Sequence, residues 1–366
     1  MTSSMKMRYL AHYAPLAREL SDSLVSADLK EIEKLPQPFF PLFGSCYERS
    51  ALKIIFIGQD TRGWGNTSEF LKNPEDDLNN KLDMFDSLAF RSWGKTTHTF
   101  FGFAMALLAS VHGIKEWNVL KYKGHEDILR SFAWGNANSV ELFESITKYN
   151  PGVPFETWHH AHQASRTINR FAHIHKSLTP RVVILTTHKI IKEDYFKGYH
   201  LIQVPSPNTM IEHFKISGNE IDVFQTRHPN SMRHVGSPRD ILISLRRVLE
   251  EHNLAPTFPD FSKDAESAEE ISGYLAKNCP TSENKYDFVT WVADELSKRG
   301  ACMSVPCLAA LVNQVGYKTN YGTEFSGKRG TYRLVRGAYN RQSQNQEAAD
   351  KIALAFRKPD FTYAYK

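Results

Sequence analysis

A carboxylate in a glycine-rich turn, directly after an apolar segment, is the first feature of the sequence that could do chemistry. Residues 54–57 have the β-branched and aromatic content of a strand buried on both faces, and Gly58 ends them. Asp60 follows in a turn that also contains Gly63 and Gly65. Open α/β sheets bind ligands at the carboxyl ends of their strands, where a carboxylate can orient water. The alternative is a structural turn in which Asp60 caps a helix.

Two other polar side chains follow apolar segments in the same way. Asn136 comes after the predicted strand 131–134, and His228 comes after the predicted strand 222–226. Because the carboxyl ends of parallel strands meet at one edge of a sheet, we expect Asp60, Asn136 and His228 to line a single cleft. A carboxylate, an amide and an imidazole together suit acid–base chemistry on a ligand that is read by hydrogen bonds.

Strand patterns that alternate with helical patterns predict the elements that would position these side chains. The predicted strands are 54–57, 131–134, 182–185, 201–204 and 222–226, and the predicted helices are 5–33, 100–111, 156–176 and 241–251. This alternation predicts an α/β fold with three layers, α/β/α, around a central, mainly parallel sheet. The polar segment 66–80 is predicted to be a loop, either a lid or substrate wall or a surface insertion.

The composition changes after residue 255, which predicts a second domain. Residues 256–283 contain three prolines around an acidic stretch and are predicted to be a linker after the first domain, 1–255. Residues 284–366 show helical patterns, with Ser304 as an N-cap, and form a small helical domain. This domain carries a basic run from Lys328 to Arg341, which would serve either DNA binding or dimerisation.

The composition excludes several classes of protein. With 366 residues, 41% of them hydrophobic, the chain can bury a large core, unlike a disordered or fibrous protein. The longest apolar stretch, 100–111, is shorter than the roughly 20 residues that cross a bilayer, and no signal segment opens the sequence. The cysteines form no CxxC pair and predict neither a metal site nor disulfides; they are Cys46, Cys279, Cys302 and Cys307. We expect a soluble cytoplasmic protein with no membrane partner, metal or other cofactor, and its oligomeric state stays open.

The net charge is weakly positive, but the basic residues are concentrated in two segments. Lysine and arginine exceed aspartate and glutamate by 45 − 40 = +5. Residues 225–247 contain five arginines against one acid, and residues 316–345 contain six basic residues against one acid. Such clusters fit phosphate binding, although solvated faces show the same composition.

Several short motifs resemble those of the uracil-DNA glycosylase superfamily, over about residues 40–250. Gly58-Gln59-Asp60 is similar to the start of the family's water-activating motif GQDPYH, and Asn136-Ala137 to the end of its base-reading strand, LLLNA. His228-Pro229-Asn230-Ser231-Met232 resembles its HPSPLS loop, for which Pro205-Ser206-Pro207 is a rival match without the histidine. Thr187 and His188 stand in the place of the family's Gly-Ser-His loop.

The resemblance implies a DNA glycosylase that flips a base out of the duplex and hydrolyses its N-glycosidic bond. It implies that Asp60 orients water and stabilises the cationic sugar and that His228 donates a hydrogen bond to the departing base. Gln59 and Asn136 would bind the base, Met232 would fill the gap that it leaves, and Ser231, Arg233, Thr187 and His188 would contact the DNA. No lysine is placed for a Schiff base, so we expect a monofunctional hydrolase that leaves an abasic site.

The sequence departs from the family directly after Asp60. Thr61-Arg62-Gly63 replaces the family's Pro-Tyr-His, whose tyrosine is understood to exclude groups larger than hydrogen at position 5 of the base. Arg62, Gly63 and Trp64 would leave room and polar contacts for a C5 substituent. We therefore expect a modified pyrimidine, such as the hydroxymethylated or glucosylated cytosine of some phage genomes, and a role in anti-phage defence. The alternatives are a repair glycosylase for uracil or a damaged base, and a DNA-binding protein on the same scaffold that does not cut.

Overall fold

The computed structural model describes most of the chain and divides it into two compact units. The described residues are 4–50, 52–59, 65, 67–88, 99–112, 126–187, 195–206, 211–228, 238–251, 268–280, 282–299, 303–326 and 329–356. One unit consists of Met1–Ala89 and Asp127–His228, and the other of Phe90–Glu126 and Pro229–Lys366. The predicted boundaries at residues 255 and 283 stay a prediction.

Within the described residues, the first unit contains a seven-stranded mixed sheet with a parallel centre. The strands are β1 (Leu42–Phe43), β2 (Ile54–Gly58), β3 (Ala133–Asn136), β4 (Val182–Leu185), β5 (Leu201–Val204), β6 (Glu212–Ile216) and β7 (Asp222–Gln225). Their order is β1-β3-β2-β4-β7-β6-β5. Strands β3, β2, β4 and β7 are parallel, while β1 at one edge and β6 and β5 at the other pair antiparallel. The predicted α/β class with a central sheet of parallel character is confirmed.

All residues of the four central strands are buried, and those of β2 and β4 are also apolar apart from Gly58. Every residue of β2 and β4 is buried, as expected for strands covered on both faces. Strand β3 begins and ends two residues later than predicted, because Gly135 and Asn136 pair in register with Ile57 and Gly58 despite their low strand propensity. A Cβ at Gly135 would lie 2.6 Å from Cδ1 of Ile57, so glycine allows this close approach.

The helices are numbered here in chain order. They are α1 (Ser4–Ser26), α2 (Thr67–Lys72), α3 (Pro74–Leu88), α4 (Thr99–Val111), α5 (Glu126–Leu129), α6 (Phe143–Tyr149), α7 (Phe155–Ser165), α8 (Phe171–Leu178), α9 (Pro238–Glu251), α10 (Ala268–Lys277), α11 (Lys285–Arg299), α12 (Val305–Gln314), α13 (Arg329–Arg341) and α14 (Gln346–Ala355). A 3₁₀ turn covers Ile32–Lys34. None of the described helices is both long enough and apolar enough to cross a membrane.

Two helical predictions were wrong in ways that affect the site. In the segment 66–80, predicted to be a loop, the described residues form α2 and the first half of α3. Helix α3 begins with a proline and three acidic residues, which favour a helix start, and it buries Leu78, Leu82 and Phe85. The segment 156–176 forms two helices, α7 and α8, because the chain turns inward between them and the Nδ2 group of buried Asn169 donates to the carbonyl of Phe39 at 3.1 Å.

Helix α1 packs against α3, α7 and α8 of the first unit. At its contact with α8, Nε2 of His12 lies 3.0 Å from Nδ1 of His173. Burial, together with the nearby charges of His173 and Lys176, lowers the pKa of His12 to about 4. Burial, together with Lys176 and Arg170, also lowers the pKa of His173. The folded protein therefore disfavours protons at this contact.

The stability of the first unit should consequently fall in mild acid. An unfolded histidine has a pKa of about 6.5, so between roughly pH 6.5 and 4 the unfolded state binds more protons than the folded state, and the free energy of unfolding decreases as the pH falls. We expect the Tm measured by circular dichroism to fall by several degrees from pH 7 to pH 5, and to fall less for His12→Gln. Exposed His200 offers a control, since His200→Gln should show the same fall in Tm from pH 7 to pH 5 as the wild type. An equal fall in Tm for wild type and His12→Gln would contradict the contribution of His12 to this loss of stability.

In the second unit, five helices enclose an apolar core within the described residues. Helices α10 to α14 contribute its buried side chains, among them Leu275, Phe288, Leu296, Leu308, Val335 and Ile352. Helix α10 belongs to this core although it lies inside the predicted linker 256–283. Ser304 caps α12 as predicted, because its Oγ accepts from the backbone N–H of Cys307 at 3.3 Å.

Candidate functional site

The carboxyl ends of the four central strands lie at one level along one edge of the sheet. Gly58 pairs with Asn136, and Leu185 pairs with both Ile57 and Gln225. The order β3-β2-β4-β7 therefore brings the ends of four distant segments next to one another. Four of the predicted site residues lie on this edge, in the order Asn136, Gln59, Thr187 and His228. Of the three residues expected to line one cleft, Asn136 and His228 lie on this edge and Asp60 lies outside the described residues, so the cleft and the roles of these residues stay predictions.

Hydrogen bonds continue past the ends of β2 and β3 and hold both exits in place. The N–H of Ala137 donates to the carbonyl of Gly58 at 2.9 Å, and the N–H of Asn138 donates to the carbonyl of Gln59 at 3.0 Å. Gln59 is exposed, whereas Asn136 is only 1% exposed. An asparagine amide offers two donors and an acceptor oxygen, and burial makes an unsatisfied group costly. Asn136 is therefore suited to select a ligand by its hydrogen-bonding pattern.

Two buried threonine hydroxyls occupy the ends of β4 and β7. Thr187 is 3% exposed and Thr226 is 4% exposed, and neither Oγ1 atom has a hydrogen-bond partner among the described residues. The neighbouring Thr186 differs, because its Oγ1 donates to the carbonyl of Ile57 at 3.1 Å. A buried hydroxyl without a partner costs about 1–3 kcal/mol, so hydroxyls at a ligand-binding edge are candidates to contact the ligand. Sequence reasoning missed Thr226 as a site residue, although it is the last residue of a predicted strand.

The turn after β2 is fixed where it rejoins the described part of the chain. Gly65 has a φ of +73°, a left-handed conformation that favours glycine. Two residues later, Oγ1 of buried Thr67 donates to the carbonyl of Leu35 at 2.7 Å. Both ends of the turn are thus held, by β2 on one side and by Thr67 on the other.

Helix α3 brings a polar cluster against the end of this turn. A Cβ at Gly65 would overlap the side-chain amide of Gln37 and lie 2.8 Å from Nζ of Lys81. Nε2 of Gln37 in turn donates to the carboxylate of Asp77. Burial raises the pKa of Asp77, although Lys81 and the bond from Gln37 act in the opposite direction. The segment predicted to be a loop therefore contributes a half-buried carboxyl group close to the turn.

An aromatic cluster lies on the chain that follows β3. Nε1 of Trp158 donates to the carbonyl of Glu141 at 2.7 Å, which joins α7 to this segment. The ring centroids of Trp158, Phe143 and Phe155 lie 5.2–5.4 Å from one another. Phe155 is 51% exposed, so the cluster presents an open ring surface. Such a surface can stack on a sugar or a base. No sequence pattern predicts this cluster, because it depends on how α6 and α7 meet.

The remaining predicted site residues lie outside the described residues. They are Asp60, Arg62, Trp64, His188, Ser231, Met232 and Arg233. Their points of attachment are described, however, since Gln59 precedes Asp60, Thr187 precedes His188 and half-buried His228 precedes the segment 229–237. These three points of attachment lie at the same edge of the sheet.

Comparisons with known proteins leave the site to be interpreted from its residues and geometry. Comparisons with protein-family models, curated proteins and solved structures found no match to this chain. The resemblance of the motifs to uracil-DNA glycosylases therefore stays a prediction from the sequence.

Proposed function

We propose that this protein is a monofunctional DNA glycosylase that excises a flipped-out, C5-modified pyrimidine and leaves an abasic site. The observation that carries the proposal is the alignment of Gln59, Asn136, Thr187 and His228 at the carboxyl ends of four adjacent parallel strands. The proposed scaffold is a three-layer α/β/α domain followed by a helical domain. The proposed site requires no metal or other cofactor.

Two of the residues, Asp60 and His228, have complementary roles in cleaving the N-glycosidic bond. As the bond between C1′ and the base nitrogen breaks, its electron pair leaves with the base and the sugar becomes cationic. The carboxylate of Asp60 stabilises this cation and accepts a proton from the water whose oxygen bonds to C1′. His228 donates a hydrogen bond to the base oxygen on which negative charge develops. Their attachment to β2 and β7, which end at the same edge of the sheet on either side of β4, supports this division of roles.

Asn136 selects the base in this proposal. Its amide can donate to and accept from the Watson–Crick edge of a pyrimidine. The nearly complete burial of Asn136 supports the role, because a base with the wrong pattern would leave buried polar groups unpaired. The hydroxyls of Thr187 and Thr226 provide further polar groups at the same edge.

The residues after Asp60 suggest the class of base. Thr61-Arg62-Gly63 contains no aromatic ring that would close the pocket at position 5, and Arg62 and Trp64 offer a hydrogen-bond donor and a stacking surface. These residue types suit a hydroxymethyl group or a sugar attached to the base. Met232 would fill the space left in the duplex, and Ser231 and Arg233 would bind phosphates. Because some phage genomes contain bases of this kind, their excision would serve defence against phage.

An excision assay tests the proposal and separates it from its alternatives. Duplex oligonucleotides would each contain one uracil, hydroxymethyluracil, hydroxymethylcytosine or glucosylated hydroxymethylcytosine, and alkali would reveal abasic sites as strand breaks. We expect breaks at a C5-modified pyrimidine and not at uracil. Excision of uracil alone would instead indicate a repair glycosylase. No excision from any of the substrates would indicate a DNA-binding protein that does not cut.

A further inference from the structure

Helix α13 presents an exposed polar stripe opposite its buried face. Leu334, Val335 and Ala338 are buried in the core of helices α10 to α14. Arg333 and Arg336 are exposed, and Asn340 continues the same row. Their spacing of three and four residues places these side chains along one side of the helix, over about 10 Å. The exposed side of α13 is therefore a row of long hydrogen-bonding groups.

The positive charge of this stripe is not compensated within the described part of the chain. Residues 329–341 contain no acidic residue. Arg333 and Arg336 make no ion pair with the described residues. Several acids of the same core are instead paired with lysines, in the pairs Asp294–Lys298 at 2.9 Å, Asp294–Lys351 at 2.8 Å and Glu324–Lys318 at 3.1 Å. Arg333 and Arg336 are thus left for a partner with negative charge.

The core holds α13 firmly in place. A Cβ at Gly337 would overlap the ring of Tyr286, so glycine lets α13 approach α11 closely. The guanidinium of Arg341 lies 4.3 Å from the centroid of the same ring. At the other end of α13, the hydroxyl of Thr331 donates to the carbonyl of Ser326. A helix fixed at both ends can present its side chains in a constant geometry.

The segment before α13 is equally well anchored and exposes further contact groups. Asn313 of α12 makes two hydrogen bonds of 2.8 Å with the backbone of Phe325, which joins α12 to the end of the connecting segment. Between them, the N–H of Thr319 donates to the carbonyl of Thr323 at 2.8 Å and closes a turn. At its tip, Tyr321 is 89% exposed. Helices α12 and α13 pack against each other, so the exposed stripe lies on the second helix of a packed pair.

We propose that the stripe Arg333, Arg336 and Asn340 binds the major groove of duplex DNA. An α-helix fits this groove, and arginine and asparagine are the side chains that pair bidentately with guanine and adenine. A packed helix pair that presents its second helix is an arrangement typical of groove binding. An apolar partner fits poorly, because Tyr321 is the one strongly exposed large hydrophobic residue among the described side chains of 303–326 and 329–356. The stripe supplies binding that does not require the excision chemistry.

The decisive variant is Arg333→Ala/Arg336→Ala in the full chain. Its affinity for an unmodified duplex of about 24 base pairs would be measured by fluorescence anisotropy at several salt concentrations. We expect Kd to rise at least about tenfold, and the slope of log K against log salt to become shallower by about 1–2, because each lost cationic contact with DNA releases about 0.9 fewer counterions. Alanine is the best helix former, so α13 should stay folded, which thermal unfolding would check.

A matched control distinguishes this surface from general charge. Lys277→Ala/Lys298→Ala removes the same charge from the same core but from α10 and α11, and its Kd should stay within about twofold of wild type. Unchanged binding in the arginine variant, or equal weakening in both double variants, would overturn the proposal. The proposal would also be overturned if the arginine variant bound single-stranded DNA or RNA more weakly than wild type but bound duplex DNA equally well. The probe contains no modified base, so a failure of the proposed excision activity would not affect this result.

Discussion

Asp60→Asn should slow excision by about 10²–10⁴-fold on any base that the wild-type protein removes. Asparagine has nearly the same shape as aspartate but carries no negative charge to stabilise the cationic sugar and accepts no proton from water. The loss should appear in the rate of the chemical step, which single-turnover kinetics at saturating protein would measure. Duplex affinity should change by no more than about twofold, because the change affects the transition state more than the bound substrate.

A control for Asp60→Asn should make the same chemical change at a position away from the edge of the sheet. Asp22 is exposed on α1, and Asp22→Asn should keep the wild-type rate. Full activity of Asp60→Asn would exclude Asp60 as the residue that activates water. If both variants lost activity equally, the effect would reflect net charge instead of the site.

The central strands could be predicted because burial determines their composition. Strands β2 and β4 are continuous apolar runs, and their predicted positions agree with the structure to within one residue. Strand β6 was missed, since its sequence Glu-His-Phe-Lys-Ile is largely polar. In the fold, Nε2 of His213 lies 2.6 Å from Oδ1 of Asp222, and its ring stacks on Phe224 across the β6–β7 pair. A strand that is stabilised by partners on its neighbour leaves no periodic signal of its own.

The edge that carries the site could be predicted, but its surroundings could not. Parallel strands end together, so polar residues after separate strands converge whatever their distance in sequence. The carboxyl group of Asp77 approaches the turn only because α3 packs there. A periodic signal for α3 was present, since Leu78, Leu82 and Phe85 recur at intervals of four and three residues. The ring surface around Phe155 depends instead on the packing of α6 and α7, which no local pattern encodes.

Asn136→Ala should lower kcat/KM for the preferred base by about 10²–10³-fold, a loss comparable to removing one donor to a developing oxyanion. It should also bring the rates for modified cytosine and modified uracil closer together, because the amide that distinguishes their Watson–Crick edges is gone. The two rates would be compared in single-turnover assays. A general destabilisation of the fold would lower both rates in proportion and leave their ratio unchanged.

Asn138 offers a control for this change on the same segment. Its backbone N–H bonds to the carbonyl of Gln59, so Asn138→Ala removes an amide side chain while leaving that bond in place. We expect this variant to keep the wild-type ratio of rates and a kcat/KM within about threefold of wild type. An unchanged ratio in Asn136→Ala, or the same loss of selectivity in Asn138→Ala, would contradict base reading by Asn136. Since Asn136 is buried at the end of β3 beside the exit of β2, loss of selectivity in Asn136→Ala alone would locate the base at the junction of these two strands.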